Sequence, residues 1–238
     1  MSTLGTSLLL ATLAGATIPL GAIIAQFERI HPRWLEAEFR HSVIAFGGGV
    51  LLAAVSLVLV PDGIRALTWP WICLAFGGGG FVFFLLDRAI AKRGGAAAQL
   101  LAMLLDFVPE AMAVGAALAS GMETGLLLAV LIALQNLPEG FNAYREIMAR
   151  GLHSRGIVFA LFGACVLLGP IAAYVGHAFL ASAPTLLGGV MLFAAGGIIY
   201  LTFEDIAPQA VLRQHWAPPL AAVAGFLLGI LSRVALVP

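Results

Sequence analysis

The chemistry of this chain is concentrated between Asp106 and Glu139. Two Pro-Glu pairs, Pro109-Glu110 and Pro138-Glu139, interrupt long apolar stretches. Asp106 precedes Glu110 by one helical turn and Gln135 precedes Glu139 by the same offset, so each pair shares a helix face. A proline inside a helix removes one backbone hydrogen bond and frees the carbonyl four residues earlier, here Leu105 and Leu134. The two motifs together therefore offer three carboxylates, Asp106, Glu110 and Glu139, the amide oxygens of Gln135 and Asn136, and freed carbonyls, with no Lys or Arg beside them to neutralise them. A cation is the natural partner. Oxygen-rich ligation suits hard or borderline divalent ions, and the absence of histidine here argues against a purely zinc-selective site. Binding falls with pH, because protonated carboxylates are poor ligands. A single buried acid is explained as well by a protonated, hydrogen-bonded packing residue; three at matched depths, beside paired prolines, are not.

These residues need a scaffold, and composition says which kind. The 238 residues are 61% hydrophobic and only 10% charged, where a soluble domain carries about 25% charged residues. The expectation is an all-α polytopic membrane protein, a single transmembrane transport domain over residues 1–238. Zero formal net charge gives no reason to expect nucleic acid as a partner; the lipid bilayer is one. Cys73 and Cys165 lie in apolar runs, outside any metal-ligand spacing, and read as small packing residues.

A spanning helix needs roughly 20 mainly apolar residues, and eight segments qualify, at about 3–27, 42–61, 69–88, 97–120, 123–145, 156–180, 184–206 and 217–237. The link from Glu28 to His41 mixes both signs of charge with Pro32 and Trp34 and is expected to be a surface loop. Placing alternate connections on opposite sides puts ten of the twelve Lys and Arg on one side: Arg29, Arg33, Arg40, Arg88, Lys92, Arg93, Arg145, Arg150, Arg155 and Arg213. Arg65 and Arg233 fall on the other. The positive-inside rule then puts both termini outside. The second and seventh spans each carry a glycine cluster, Gly47-Gly48-Gly49 and Gly196-Gly197, leading to Pro61-Asp62 and Pro208. With the paired Pro-Glu motifs these features point to an inverted repeat with the site at its interface. Gly-rich faces on the second, third and seventh spans serve either internal packing or a homodimer interface.

Other polar residues lie along the path. Glu204 and Asp205, at the inner end of the seventh span, are candidates for an exit site, with a solvated helix end as the alternative. Asp62 is either an entrance carboxylate or an ordinary helix-end charge. Asn142 and Tyr144 continue past Glu139 and are candidates to line the inner pathway. His31, His41, His153, His177 and His215 carry no pair spacing and read as surface histidines.

At Asp106-Phe107-Val108-Pro109-Glu110-Ala111 and Gln135-Asn136-Leu137-Pro138-Glu139-Gly140 the chain resembles the ZIP (Zrt/Irt-like) family of divalent-metal transporters. The family's fourth span reads His-Asn-x-Pro-Glu-Gly, and its fifth has His or Gln, then Asn or Asp, then x-Pro-Glu-Gly. Gly196-Gly197, Tyr200, Glu204-Asp205 and Pro208 also look like the family's seventh span. The resemblance covers essentially the whole chain. It implies a ZIP-like bundle carrying zinc, iron, manganese or a similar ion, as cargo rather than cofactor, into the cytoplasm across a plasma or inner membrane. Asp106, Glu110, Gln135 and Glu139 would then be metal ligands. The chain departs from the family at Asp106, which replaces histidine, and at Phe107, which replaces an amide. It departs also at Gly169-Pro170, where the family often has Glu-Pro, and at 92–95, where a histidine-rich loop shrinks to Lys92-Arg93-Gly94-Gly95. One metal position rather than two is expected. The alternatives are a ZIP-fold protein that has lost transport and, from a different class, an intramembrane enzyme using paired carboxylates; no nucleophile or general-acid partner supports the enzyme.

Overall fold

The computed structural model describes residues 2–28, 33–91, 96–149, 151, 154–210 and 216–237. His31, His153 and His215, the basic stretch at 92–95, and Arg29, Arg150 and Arg213 lie outside the described residues.

Among the described residues the chain is helical and has no strand. In order come α1 (Thr3–Phe27), α2 (Arg33–Ala54), a π turn (Val55–Leu59), α3 (Val60–Arg65), α4 (Trp69–Ala91), α5 (Ala96–Ala119) and α6 (Thr124–Ala149). They are followed by α7 (Arg155–Val175), a π turn (Gly176–Leu180), α8 (Pro184–Leu201), a π turn (Thr202–Ile206), α9 (Ala207–Ala210) and α10 (Ala217–Leu236). Ser2 and Ser154 cap α1 and α7 by accepting from the amides of Gly5 and Ile157. Gly121, at a φ of 71°, makes the tight turn between α5 and α6 that the left-handed region requires. Seven helical stretches among the described residues are long and apolar enough to cross a membrane. Large apolar side chains such as Trp69, Leu74, Phe81, Leu167, Phe203 and Val234 are exposed on the outside of the bundle. In water that surface would be costly; in a bilayer it faces lipid. The chain is a polytopic integral membrane protein.

Two expectations need correction. Residues 33–41 are not a loop, because α2 begins at Arg33. Its first turns are held where a charged loop would be solvated: Glu36 pairs with Arg145, and Phe39 meets Phe141 edge-on at 6.0 Å. Nor do the prolines open their helices. Pro109 and Pro138 sit inside continuous α5 and α6, as Pro19 and Pro170 do in α1 and α7. The backbone instead widens at the three π turns, insertions often found at functional sites.

Four helix pairs close on reciprocal glycines: Gly21 with Gly140 (α1, α6), Gly115 with Gly176 (α5 and the end of α7), Gly49 with Gly225 (α2, α10) and Gly79 with Gly196 (α4, α8). A Cβ at any of these eight positions would come within 1.9 to 2.2 Å of a carbonyl oxygen of the facing helix. Only glycine lets backbones approach so closely. Gly77 and Gly78 have no atom facing them within 4 Å, so internal packing does not use them. Further contacts assemble the pairs into two groups, α1 with α5, α6 and α7, and α2–α3 with α4, α8–α9 and α10. They meet chiefly where α2 crosses α6 and α5 crosses α8.

Candidate metal centre

The first helix group carries all four expected ligands. On α5 and α6 the side chains of Glu110 and Gln135 are 0% exposed and meet directly, Gln135 Nε2 donating to Glu110 Oε2 at 2.6 Å. Asp106 is buried one turn from Glu110 and accepts from the Phe107 amide at 2.8 Å. Glu139 lies within electrostatic range of Asp106, Glu110 and Asp205. The four residues therefore share a neighbourhood but divide into a closed pair, Glu110 with Gln135, and an open pair. Asp106 and Glu139 line a cavity of about 80 Å³ between the two helix groups, together with Ile44 and Leu51 from α2, Ile198 and Leu201 from α8, and Asp205 and Gln209 beyond. That volume holds several waters or a partly hydrated ion.

The distinctive feature is what these side chains lack. Among the described residues, every buried side-chain oxygen without a hydrogen-bond partner belongs to α5 or α6: Glu110 Oε1, Gln135 Oε1, Asn136 Oδ1, Glu139 Oε2 and Asn142 Oδ1. All five are acceptors waiting for a donor or a cation. Leaving a buried polar group unmet costs about 1–3 kcal/mol, and more when it is charged. Among the described residues, no Lys, Arg or His lines the cavity. Among the described residues, no three His, Cys, Asp or Glu side chains close into a ready-made metal shell. Any ion bound here would draw part of its shell from amide oxygens and water.

The remaining candidates separate cleanly. Asn136 faces α1, its Nδ2 donating to the Ala14 carbonyl at 3.0 Å. Asp205, in the third π turn, lines the cavity and accepts from Gln209. Glu204 beside it is exposed and does not line the cavity; its charged neighbour is Asp87, which accepts from Tyr200 at 3.1 Å. Asp62 is a helix-end charge in the first turn of α3. It is only 6% exposed, taking Thr124 Oγ1 at 2.6 Å and Arg65 Nη1 at 2.9 Å. Tyr144 is buried against Phe159 with ring centroids 5.5 Å apart, away from the cavity. His177 falls in the second π turn with a buried, unpartnered Nδ1. Cys165 is buried as expected, whereas Cys73 is exposed.

Phe107 and Gly169 prove to be one feature. The Phe107 ring is fully buried, and its tip lies 3.0 Å from where a Cβ at Gly15 would stand and 2.9 Å from one at Gly169. The ring fills the cleft between α1 and α7 that any side chain at 169 would enter. The sequence matches no family model and no curated protein.

Proposed function

We propose that this protein carries divalent metal cations across the membrane, into the cytoplasm, as a divergent ZIP-like transporter. The observation that carries this reading is made of the described residues: five buried, donorless oxygens on α5 and α6 beside an acid-lined cavity with no basic residue. Buried carboxylates in apolar spans are expensive, and binding a cation offsets that cost. Asp106, Glu110, Gln135 and Glu139 form the site; zinc, iron and manganese all fit its donors, and the Phe107 ring in place of a second set of ligands favours a single ion.

The same reading makes eight helices span a plasma or inner membrane with both termini outside, arranged as an inverted repeat. In its support, Phe46, Gly49 and Pro61 in the second span are spaced as Phe193, Gly196 and Pro208 in the seventh. The π turns, Val55–Leu59 and Thr202–Ile206, fall at the same offset from those glycines. The four glycine-seamed pairs also map onto one another: α1 with α6 onto α7 with α5, and α2 with α10 onto α8 with α4. Transport then follows from rocking one helix group against the other about the central site. The cavity is lined by Asp205 and Gln209, whereas Asp62 ties Thr124 and Arg65 at the other end of α6; on this reading the site faces the inside.

One observation favours a second reading, a ZIP-like fold without transport: Gln135 already satisfies one oxygen of Glu110. Uptake into liposomes loaded with a metal-reporting dye decides between them. A transporter moves at least one of zinc, iron and manganese faster than empty liposomes do; rates equal to empty liposomes across that panel overturn the transporter reading and favour the second.

A further inference from the structure

The cavity between the helix groups contains a polar side chain outside the four-residue site. Asn142 stands three residues beyond Glu139 on α6, on the same helix face. It lines the cavity with Asp106 and Glu139. Its Oδ1 is buried and has no donor among the described residues. A water molecule would satisfy that oxygen alone. The same cavity also holds Asp106, Glu139 and Asp205 and, among the described residues, no basic lining residue; water leaves any charge on these acids uncompensated, and a proton on a carboxylate leaves the Asn142 oxygen unmet. One occupant meets both needs, a cation.

We infer that Asn142 is a direct oxygen ligand of the transported cation, completing with Asp106 and Glu139 a position on the Asp205 side of the Glu110–Gln135 pair. The inference rests on the transporter reading and deepens it. Glu110 and Gln135 satisfy each other in part, while Asp106, Glu139 and Asn142 line one cavity, the last two each with a buried oxygen that has no donor among the described residues. Two carboxylates and one amide, finished by water, make an all-oxygen shell for a hard divalent ion. An imidazole at 142 would instead favour later transition metals. Asn142 therefore helps set the ratio of Mn²⁺ to Zn²⁺ affinity.

The test uses the full chain in detergent, titrated with Mn²⁺ and read by the electron paramagnetic resonance signal of free Mn²⁺, with Zn²⁺ as competitor. Asn142→Ala is expected to weaken Mn²⁺ binding about 10- to 100-fold, the range seen when side chains supporting a metal are removed. Asn142→Asp restores or tightens it, and Asn142→His lowers the ratio of Mn²⁺ to Zn²⁺ affinity. Melting temperatures without metal establish that each variant is folded. If Asn142→Ala does not fold, the Asn142→His ratio decides: a ratio equal to wild type overturns the inference. Wild-type binding with an unchanged Asn142→Ala affinity overturns it while leaving the transporter reading intact. A wild-type protein that binds neither ion overturns the inference, and one that does not bind Fe²⁺ either overturns the transporter reading as well.

Discussion

Asp62 and Glu139 are both carboxylates on long apolar helices, and they are provided for in opposite ways. Asp62 has a hydroxyl on one oxygen and a guanidinium on the other, so its burial is matched by two close partners. Glu139 has an oxygen with no donor at all, in company with four other oxygens in the same condition. The first arrangement fastens α3 to the start of α6. The second leaves a site whose electrostatics are complete only when something positive enters. Counting acids would rank the two alike; counting unmet oxygens separates the fastener from the binding site.

The sharpest way to break that comparison is to delete each kind of acid and measure stability and uptake separately. Glu110→Ala combined with Glu139→Ala is expected to reduce uptake to the level of empty liposomes and to leave the melting temperature level or higher, since unmet buried oxygens are removed. Uptake by the wild type should itself fall as the pH is lowered, because protons compete with metal for the same carboxylates. A pH-independent uptake, or a double variant that still transports, would mean that these acids are not the ligands.

Phe107 shows a third treatment of a buried position, with packing in place of ligands. Phe107→Ala removes a fully enclosed ring and should cost about 3–5 kcal/mol of stability. Gly169→Glu should prevent folding, because the new Cβ would stand 2.7 Å from the Ala11 carbonyl and 2.9 Å from the ring. The two changes together should recover part of the folded yield, which size-exclusion chromatography in detergent would show. No recovery would mean that the ring and the glycine are independent.

Asp62→Ala is the converse of the double acid variant. It strands the Thr124 hydroxyl, while the mostly exposed Arg65 keeps its water, and a hydrogen bond to a charged group contributes about 1.5–3 kcal/mol. Thermal unfolding should register that loss, while uptake per folded molecule stays near wild type. Loss of uptake at unchanged stability would make Asp62 an entrance ligand after all.

How far the sequence could be read follows the same division. Long apolar runs disclose spanning helices because the bilayer demands their length, and the i, i+4 spacing alone placed Asp106 with Glu110. Helix ends were less legible: Glu36 and Phe39 look like loop residues until Arg145 and Phe141, more than a hundred residues away, are seen to hold them. The fit of Phe107 against Gly169 is equally non-local. Asn142 was visible only as a polar residue beyond Glu139; that it lines the cavity, with a buried oxygen lacking a donor among the described residues, depends on α5 and α8 standing opposite. Glu204 and Asp205 are adjacent in sequence, and only the π turn separates the exposed one from the one lining the cavity.

The smallest expected effect lies at the end of α6 away from Thr124. Arg145 pairs there with Glu28, just after α1, and with Glu36 on α2, so one of its bonds stays within the first helix group and the other crosses to the second. Arg145 retains 21% side-chain exposure and Glu36 34%, and pairs so open to solvent contribute about 0.2–1 kcal/mol. Glu36→Gln should therefore leave the melting temperature almost unchanged. Its effect should appear in the balance between conformations, because the crossing bond is present in this arrangement of the two groups and would be stretched if they rock. Weakening it should shift that balance by a few-fold at most, seen as faster uptake at saturating metal with unchanged Mn²⁺ affinity, whereas Glu28→Gln, cutting the bond inside one group, should change neither. Equal effects from the two substitutions would show that the Arg145 cluster fastens one end of the bundle, as Asp62 fastens the other, and plays no part in the movement between groups.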